Sequence, residues 1–359
     1  MPAKKLPVVW WNVQRLFRPS GSSVARALDA TERQGWTKTA YEAKVRAVAA
    51  VLRQITKNSA PGILALCEVE NAAVLRDVLK ATGWSLEIAD DASGRLVGDD
   101  LVVAYDRRQV KLDGTPESFV VHNRFATRDL FRVPFRTEGG KPLVLITNHW
   151  PSRMLSNAEP LRIVLADACR RMVDSVLKFP KEELILADGR VKMPPAASLR
   201  ERLNTAVVVL GDFNDDPFNI SLAGVLLATH NRDRVSAAAA IPAGRGDAAL
   251  RTYVNGTLPL YNPCWGALTA PEGPKGTLFW NNDWYLFDQV LFSSSLLDNT
   301  EKTAYAEGSF RIHAPETVEG PRGEVIAFCT RKGVPKAFDP KSKRGVSDHL
   351  PITFEIDIG

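Results

Sequence analysis

VVVLGDFNDDP (207–217) runs four aliphatic residues into Gly211 and then sets Asp212, Asn214, Asp215 and Asp216 around Phe213. An unbroken run of β-branched residues reads as a strand buried on both faces. Carboxylates crowded against the end of such a strand repel one another unless something offsets them. Asp and Asn are good turn formers and N-caps, so an acidic turn leading into the next element is one account. Oxygen donors held for a hard cation are the other. Taken alone, the stretch suits both.

Outward from 207–217, the pattern alternates strands and helices. Leu6–Val13 is apolar and β-branched and predicts a strand. Tyr41, Val45, Val48, Leu52 and Ile55 fall three or four apart and predict a helix over 38–56. GILALCEVEN (62–71) is a short apolar run that ends in two glutamates, and a helix over 72–81 follows. Further strands are expected at 101–105, 119–121, 130–135, 143–147, 286–292 and 352–356, with a long helix at 157–178. Adjacent strand pairs without helices between them point to an α/β chain with mixed sheets and helices outside. Residues 179–200, 236–276 and 299–346 are rich in Pro, Gly, Ala or Lys and short of periodic apolar positions, so they read as surface insertions on a single domain spanning 1–359.

Composition narrows the function classes. The 359 residues are 45% hydrophobic, and 46 Lys and Arg against 41 Asp and Glu leave a net charge of +5, mildly basic and far from a histone-like binder. The four cysteines form no C-x-x-C pair, which argues against a disulfide framework and a zinc cluster. The apolar part of MPAKKLPVVWWNV is too short, and broken too soon by Asn12 and Gln14, for a signal peptide or membrane span. Cytoplasm is the default location and a monomer the expected state.

Polar groups with metal or acid/base chemistry recur at strand ends: Asn12 and Gln14, Glu68, Asn148 and His149, Asp212 and Asn214, Asp288, and Asp348 with His349. Brought to one edge, they form a pocket of carboxylate and amide oxygens with no thiolate, the donor set of Mg²⁺ or Mn²⁺. Each piece also has a plainer role, as a salt-bridged glutamate, a satisfied core histidine or a turn. Trp10, Trp11, Trp265, Trp280 and Trp284 read as core or rim packing.

The ordered set WWNVQRLF (10), LCEVEN (66), DDLVVAYD (99), ITNHWPSR (146), VLGDFNDDP (209), FDQVLFSS (287) and SDHLPI (347) resembles the endonuclease/exonuclease/phosphatase superfamily. The resemblance spans residues 8–356 and implies a four-layer α/β/β/α sandwich with the active site between two sheets. It implies Glu68 as principal metal ligand, Asn12 and Gln14 beside it, and Asp348 as a further ligand or supporting carboxylate. Asp212 and Asn214 would align the attacking water. His349, oriented by Asp288, would contact the phosphate or act as general base. His149, partnered by Asp100, would assist the leaving oxygen. Asn148, Arg153 and Arg124 would contact substrate phosphate. Gln14 replaces the aspartate of abasic-site enzymes, and Phe287-Asp288-Gln289 replaces the cysteine-aspartate-arginine signature of the 5-phosphatases, which disfavours that branch. The implied activity is metal-assisted phosphodiester hydrolysis, with DNA or RNA as the expected substrate. A small or lipid-linked phosphoester and a non-catalytic binding module are the alternatives.

Overall fold

The computed structural model describes residues 4–19, 35–90, 101–121, 129–184, 192, 194–239, 252–298 and 303–359. Two sheets pack face to face. The first contains β1 (Lys5–Leu16), β2 (Ile63–Val69), β3 (Glu87–Ala89), β4 (Leu101–Tyr105), β15 (Thr303–Tyr305), β16 (Arg311–Ile312) and β19 (Ile352–Ile358), in the order β15-β19-β1-β2-β4-β3, with β16 also on β19. The second contains β5 (Val110–Leu112), β6 (Glu117–Phe119), β7 (Leu130–Thr137), β8 (Pro142–His149), β9 (Ala206–Asp212), β10 (Ala228–Thr229), β11 (Leu260–Tyr261) and β14 (Asp288–Phe292), in the order β10-β11-β14-β9-β8-β7-β5, with β6 on β7.

Near the middle of each sheet lies one parallel pair, β1 with β2 and β8 with β9. Parallel neighbours need a crossover connection, which a helix usually supplies. Helix α1 (Lys38–Ile55) lies between β1 and β2 in sequence, α2 (Ala72–Thr82) follows β2, and α3 (Ala158–Leu177) lies between β8 and β9. Thr37 starts α1 by accepting the Ala40 amide on its hydroxyl, and Asn71 caps α2 through the amides of Ala73 and Val74.

Alternation along the strands builds four layers. Leu6, Val8 and Trp10 of β1 enter the space between the sheets, while Val9, Trp11 and Val13 pack with Val45, Val48 and Leu52 of α1 and Val74 and Val78 of α2. In β9, Val208 and Leu210 face the first sheet, and Val207 and Val209 face Leu165, Cys169 and Val173 of α3. Every residue of β9 is buried, the double-sided burial that VVVL predicts. The protein is therefore an α/β/β/α sandwich.

Gly211 lies beside Asn148 of β8, where there is no room for a side chain. A Cβ there would lie 2.3 Å from the Asn148 carbonyl oxygen. Gly211→Ala should cost about 1–3 kcal/mol of stability because the clashing atom is backbone and cannot swing aside. Denaturant unfolding checks this, and an unchanged midpoint would contradict it.

Two of the expected insertions turn out to be partly structural. Within 299–346, β15 and β16 pair with β19, and Phe328, Cys329, Phe338 and Val346 are buried in the layer under α1. Within 236–276, Leu260 and Cys264 enter the central core and β11 pairs with β14. Strands of two or three residues that borrow an existing edge need no apolar periodicity of their own, so the sequence pattern does not display them.

Candidate active site

The polar groups meet at one end of the sandwich, although not all from strand ends as the sequence reading has it. β1, β2, β8 and β9 deliver Asn12, Glu68, His149 and Asp212 at their C-terminal ends. Asp288 instead opens β14, and Asp348 and His349 precede β19. Both strands run antiparallel to their neighbours, so their starts lie beside those ends: Asp288 pairs directly with Asp212, and Ile352 with Trp10.

Asn12 joins the two sheets. Its amide nitrogen donates to Glu68 Oε1 at 3.2 Å and to Asp212 Oδ2 at 3.0 Å, and its oxygen accepts the Gln14 amide. The β1–β2 register then shifts between Asn12 and Leu16, where Gln14 and Arg15 adopt φ of 53° and 54°. A bulge of this kind re-aims side chains, and both residues line the cavity. Glu68, at φ 59°, is also left-handed, with its Oε2 accepting the Arg15 amide at 2.8 Å. Asn214 is at φ 50°. A left-handed residue other than glycine costs about 1–3 kcal/mol, and the grouping of four here marks backbone held in place for side-chain placement.

His149 Nε2 lies 3.9 Å from Glu68 Oε1 and 3.7 Å from Asp212 Oδ2. His349 faces the same carboxylate from the other side, with Nε2 at 3.8 Å from Asp212 Oδ2 and Nδ1 at 2.7 Å from Asp288 Oδ2. Burial alone would suppress the imidazolium. The charges of Asp288 and Asp212 and the Asp288 hydrogen bond outweigh it, so His349 titrates well above the ordinary histidine value. Burial also raises Asp212, with His349 opposing and Asp288 reinforcing that shift. It raises Asp348 as well, where His349 opposes and Glu68 reinforces.

Carboxylates gathered in a largely desolvated pocket are the donor set a hard divalent ion satisfies. Glu68, Asp212 and Asp348, all in the cavity lining, are donors of that chemical type. The most compact group of ligand-type atoms is Asp212, Asp288 and His349, within 4.8 Å of one another. Asp288, however, already accepts the Trp10 indole N–H on Oδ1 and holds His349 on Oδ2. That trio is better described as a hydrogen-bonded histidine–carboxylate pair against Asp212 than as a cation cage.

The acidic stretch divides between both of its readings. Asp212 and Asn214 face the cavity; Asn214 donates its amide to the Trp150 carbonyl, and its backbone N–H donates to Asp212 Oδ1. Asp215 and Asp216 turn away. Asp215 takes Ser221 Oγ–H and the guanidiniums of Arg153 and Arg162, and Asp216 accepts the Leu286 amide.

Several expected phosphate contacts need correction. Asn148 is fully buried and points back into the sheet, donating to the Ile146 and Leu210 carbonyls and accepting the Trp150 indole N–H. The pleat places it on the opposite side of β8 from His149. Arg153 lines the cavity, but its Nη2 donates to Asp215, Asp216 and Asn219 and its guanidinium stacks over Phe287 at 4.7 Å. Its charge is thus spent on two aspartates and on bracing the 214–219 loop. Gln14 accepts the Phe338 amide on Oε1 at 2.7 Å, so it pins the 336–346 segment and its remaining N–H groups suit a phosphate oxygen better than a cation. Arg132 and Arg136 pair with Glu117 and Asp113. Lys332, Lys336, Lys341, Lys343 and Arg344 are exposed and absent from the cavity lining. Asp100 and Arg124 lie outside the described residues.

Other site residues escape the sequence reading. Trp10 holds Asp288, and Thr277 Oγ1 accepts the Asp288 amide. Ser347 donates to the Asn12 carbonyl and accepts the His349 amide, while the Trp11 indole N–H donates to the His349 carbonyl. A serine immediately before Asp-His is the only one of these with a local signal; the others depend on which strands become neighbours. The resulting cavity of 460 Å³ is lined also by Arg15, Phe17, Met154, Leu278, Trp280 and Phe287.

The chain matches the family model described as Endonuclease/Exonuclease/phosphatase family over residues 8–358. Comparison with curated proteins gives no match. Among solved structures, D. rerio TDP2 in complex with a single-strand DNA product aligns at 15% identity and TM-score 0.51, covering 98% of this chain and 99% of that one. An endonuclease/exonuclease/phosphatase family protein from Bacteroides thetaiotaomicron aligns at 12% identity and TM-score 0.53, covering 99% and 98%. Truncated Caenorhabditis elegans TDP2 aligns at 14% and 0.50, covering 98% and 97%. At these identities the likeness establishes the fold. Among the described residues, no helix is long and apolar enough to cross a membrane.

Proposed function

The chain belongs to the endonuclease/exonuclease/phosphatase family, whose members are hydrolases of phosphoester bonds, and we propose that it is a divalent-metal-dependent nuclease. The observation that carries this reading is the convergence of Asn12, Glu68, His149, Asp212, Asn214 and His349 on one cavity, from strands of both sheets. Glu68, Asp212 and Asp348 would hold Mg²⁺ or Mn²⁺, with the Asn12 amide N–H groups fixing the first two carboxylates. Such an ion, when bound, supplies charge neutralisation for the phosphate oxygens and the leaving group.

The chain's own groups supply the rest. Asn214, its amide fixed on Trp150, presents Oδ1 beside Asp212 to orient water for in-line attack. His349 stands as imidazolium and donates from Nε2 to a phosphate oxygen, which favours its phosphate-contact role over that of general base. His149 faces Glu68 and Asp212 and serves the leaving oxygen.

Nucleic acid is favoured as substrate because the site's carboxylates and histidines are bordered by Arg15 and by the rings of Phe17 and Trp280. A phosphate flanked by bases meets both kinds of surface. The net charge of +5 acts in the same direction, as does the DNA product carried by the D. rerio protein. Purified protein with Mg²⁺ or Mn²⁺ should cleave plasmid, single-stranded DNA or RNA, lose activity in EDTA, and slow as salt rises. Cleavage of small phosphoesters with nucleic acids untouched would replace this reading with that of a small-molecule phosphoesterase.

A further inference from the structure

Helix α1 carries a lysine where its apolar face calls for a hydrophobe. Lys44 falls three residues after Tyr41 and four before Val48, and it is fully buried against the first sheet. Its ammonium donates to the Val346 carbonyl at 2.6 Å and lies 4.9 Å from the centre of the Phe338 ring. Among the described residues, no carboxylate stands within ion-pair distance of it. Burying an ammonium without such a partner is costly. Burial pulls its pKa down to about 7, and Asp348 and Glu68 are the charges that most oppose that fall.

Lys44 therefore reaches, from the helical layer, the backbone two residues before Asp348, one of the two carboxylates that the proposed function assigns to the metal and whose charges act on it. The carbonyl it grips belongs to the residue preceding Ser347, Asp348 and His349. Ser347 ties that segment to Asn12, and the Trp11 indole ties it at the His349 carbonyl. The Lys44 bond is a third tie, made from the helical layer.

We propose that Lys44 is a positioning residue and the internal counter-ion of the active site. It fixes the 346–349 segment through the Val346 carbonyl and balances Glu68 and Asp348 when no divalent ion lies between them. The inference rests on the reading of Glu68 and Asp348 as metal ligands. A fixed positive charge near a divalent site repels the incoming ion, and the protein interior screens that repulsion weakly. Removing the charge while keeping the volume should therefore tighten metal binding. Removing a residue that only filled space would loosen the site and weaken it.

The test is calorimetric titration of the substrate-free protein with Mn²⁺ at pH 6.5, for the parent, Lys44→Met, Lys44→Gln, Lys44→Arg and Glu68→Gln. Lys44→Met should bind Mn²⁺ about threefold or more tightly, and its metal-free form should melt below the parent. Lys44→Gln, which keeps a donor but no charge, should share the tighter binding with a smaller loss of turnover. Lys44→Arg should bind as the parent does. If Lys44→Met does not fold, the contrast between Lys44→Gln and Lys44→Arg makes the same decision. If Glu68→Gln leaves Mn²⁺ binding untouched, the ligand assignment is what fails. If Glu68→Gln abolishes binding while loss of the Lys44 charge leaves affinity equal or lower, the counter-ion role is overturned.

Discussion

Asp212→Asn should lower turnover on any cleaved substrate by about 10³-fold while leaving the fold intact. Among the described residues, Asp212 is the carboxylate within reach of Asn12, His149 and His349 together, and its amide-held partner Asn214 lies two residues on. The substitution keeps shape and volume but removes the negative charge that the proposed metal, the water and both histidines share. Its effect on stability follows from the sign of the pKa shift. Asp212 is raised in the folded protein, chiefly by burial. The folded state therefore holds a proton that the unfolded chain releases near pH 4, and stability falls as pH rises through that window.

Asparagine removes this penalty and loses the hydrogen bond from the Asn12 amide, so the two effects oppose one another. Metal-free Asp212→Asn should melt within a few degrees of the parent at neutral pH, and should show less decline in stability above pH 4. Thermal scans across pH, set beside kcat, check both halves. Parental turnover in the variant would remove Asp212 from the reaction. Glu68→Gln, in the same cavity and more exposed, gives an independent loss of function should Asp212→Asn unfold.

How much of this was legible in the sequence follows from the range of each signal. The buried strands and the main helices are local patterns, and 38–56, 72–81 and 157–178 lie within a residue or two of α1, α2 and α3. Glu68, Asp212, His149 and His349, which the fold brings to one cavity, stand out in the sequence because each sits inside a short motif. Asn148 was misread because one position along a strand reverses the face, and ITNHW does not reveal which of Asn and His looks outward. The ties that hold Arg153 could not be read locally because its partners, Asp215 and Asp216, lie more than sixty residues away, in a stretch that the sequence leaves open between an acidic turn and a donor set. Lys44 gave a signal, a charge on an apolar helix face, but its meaning depends on Val346, about three hundred residues on. β15 and β16, inside 299–346, are invisible for another reason: both take their stability from β19 and not from their own composition.

Asp288→Asn should reduce kcat by about 10²- to 10⁴-fold and move the pH profile in a direction that identifies the role of His349. Asp288 is completely buried, held on Oδ1 by Trp10 and through its backbone N–H by Thr277, so that Oδ2 meets His349 Nδ1 at 2.7 Å. An amide there withdraws the charge that, after the opposing effect of burial, contributes most to raising the His349 pKa. The ring should then lose its proton at lower pH. If His349 acts as imidazolium on the phosphate, activity is lost as pH rises through its pKa, and the alkaline limb should shift to lower pH in the variant. If it acts as general base, activity is lost as pH falls, and the acid limb should be the one that shifts down, leaving the variant relatively better at low pH.

Stability carries the same sign as the imidazolium role. The raised His349 pKa stabilises the fold fully below the unfolded histidine value, and that contribution is lost as pH rises through the folded pKa. Asp288→Asn should therefore destabilise most in the acidic range and least where His349 is already neutral. A pH–rate profile showing no displaced limb, with unfolding free energies lowered equally at all pH values, would reduce the Asp288–His349 pair to packing.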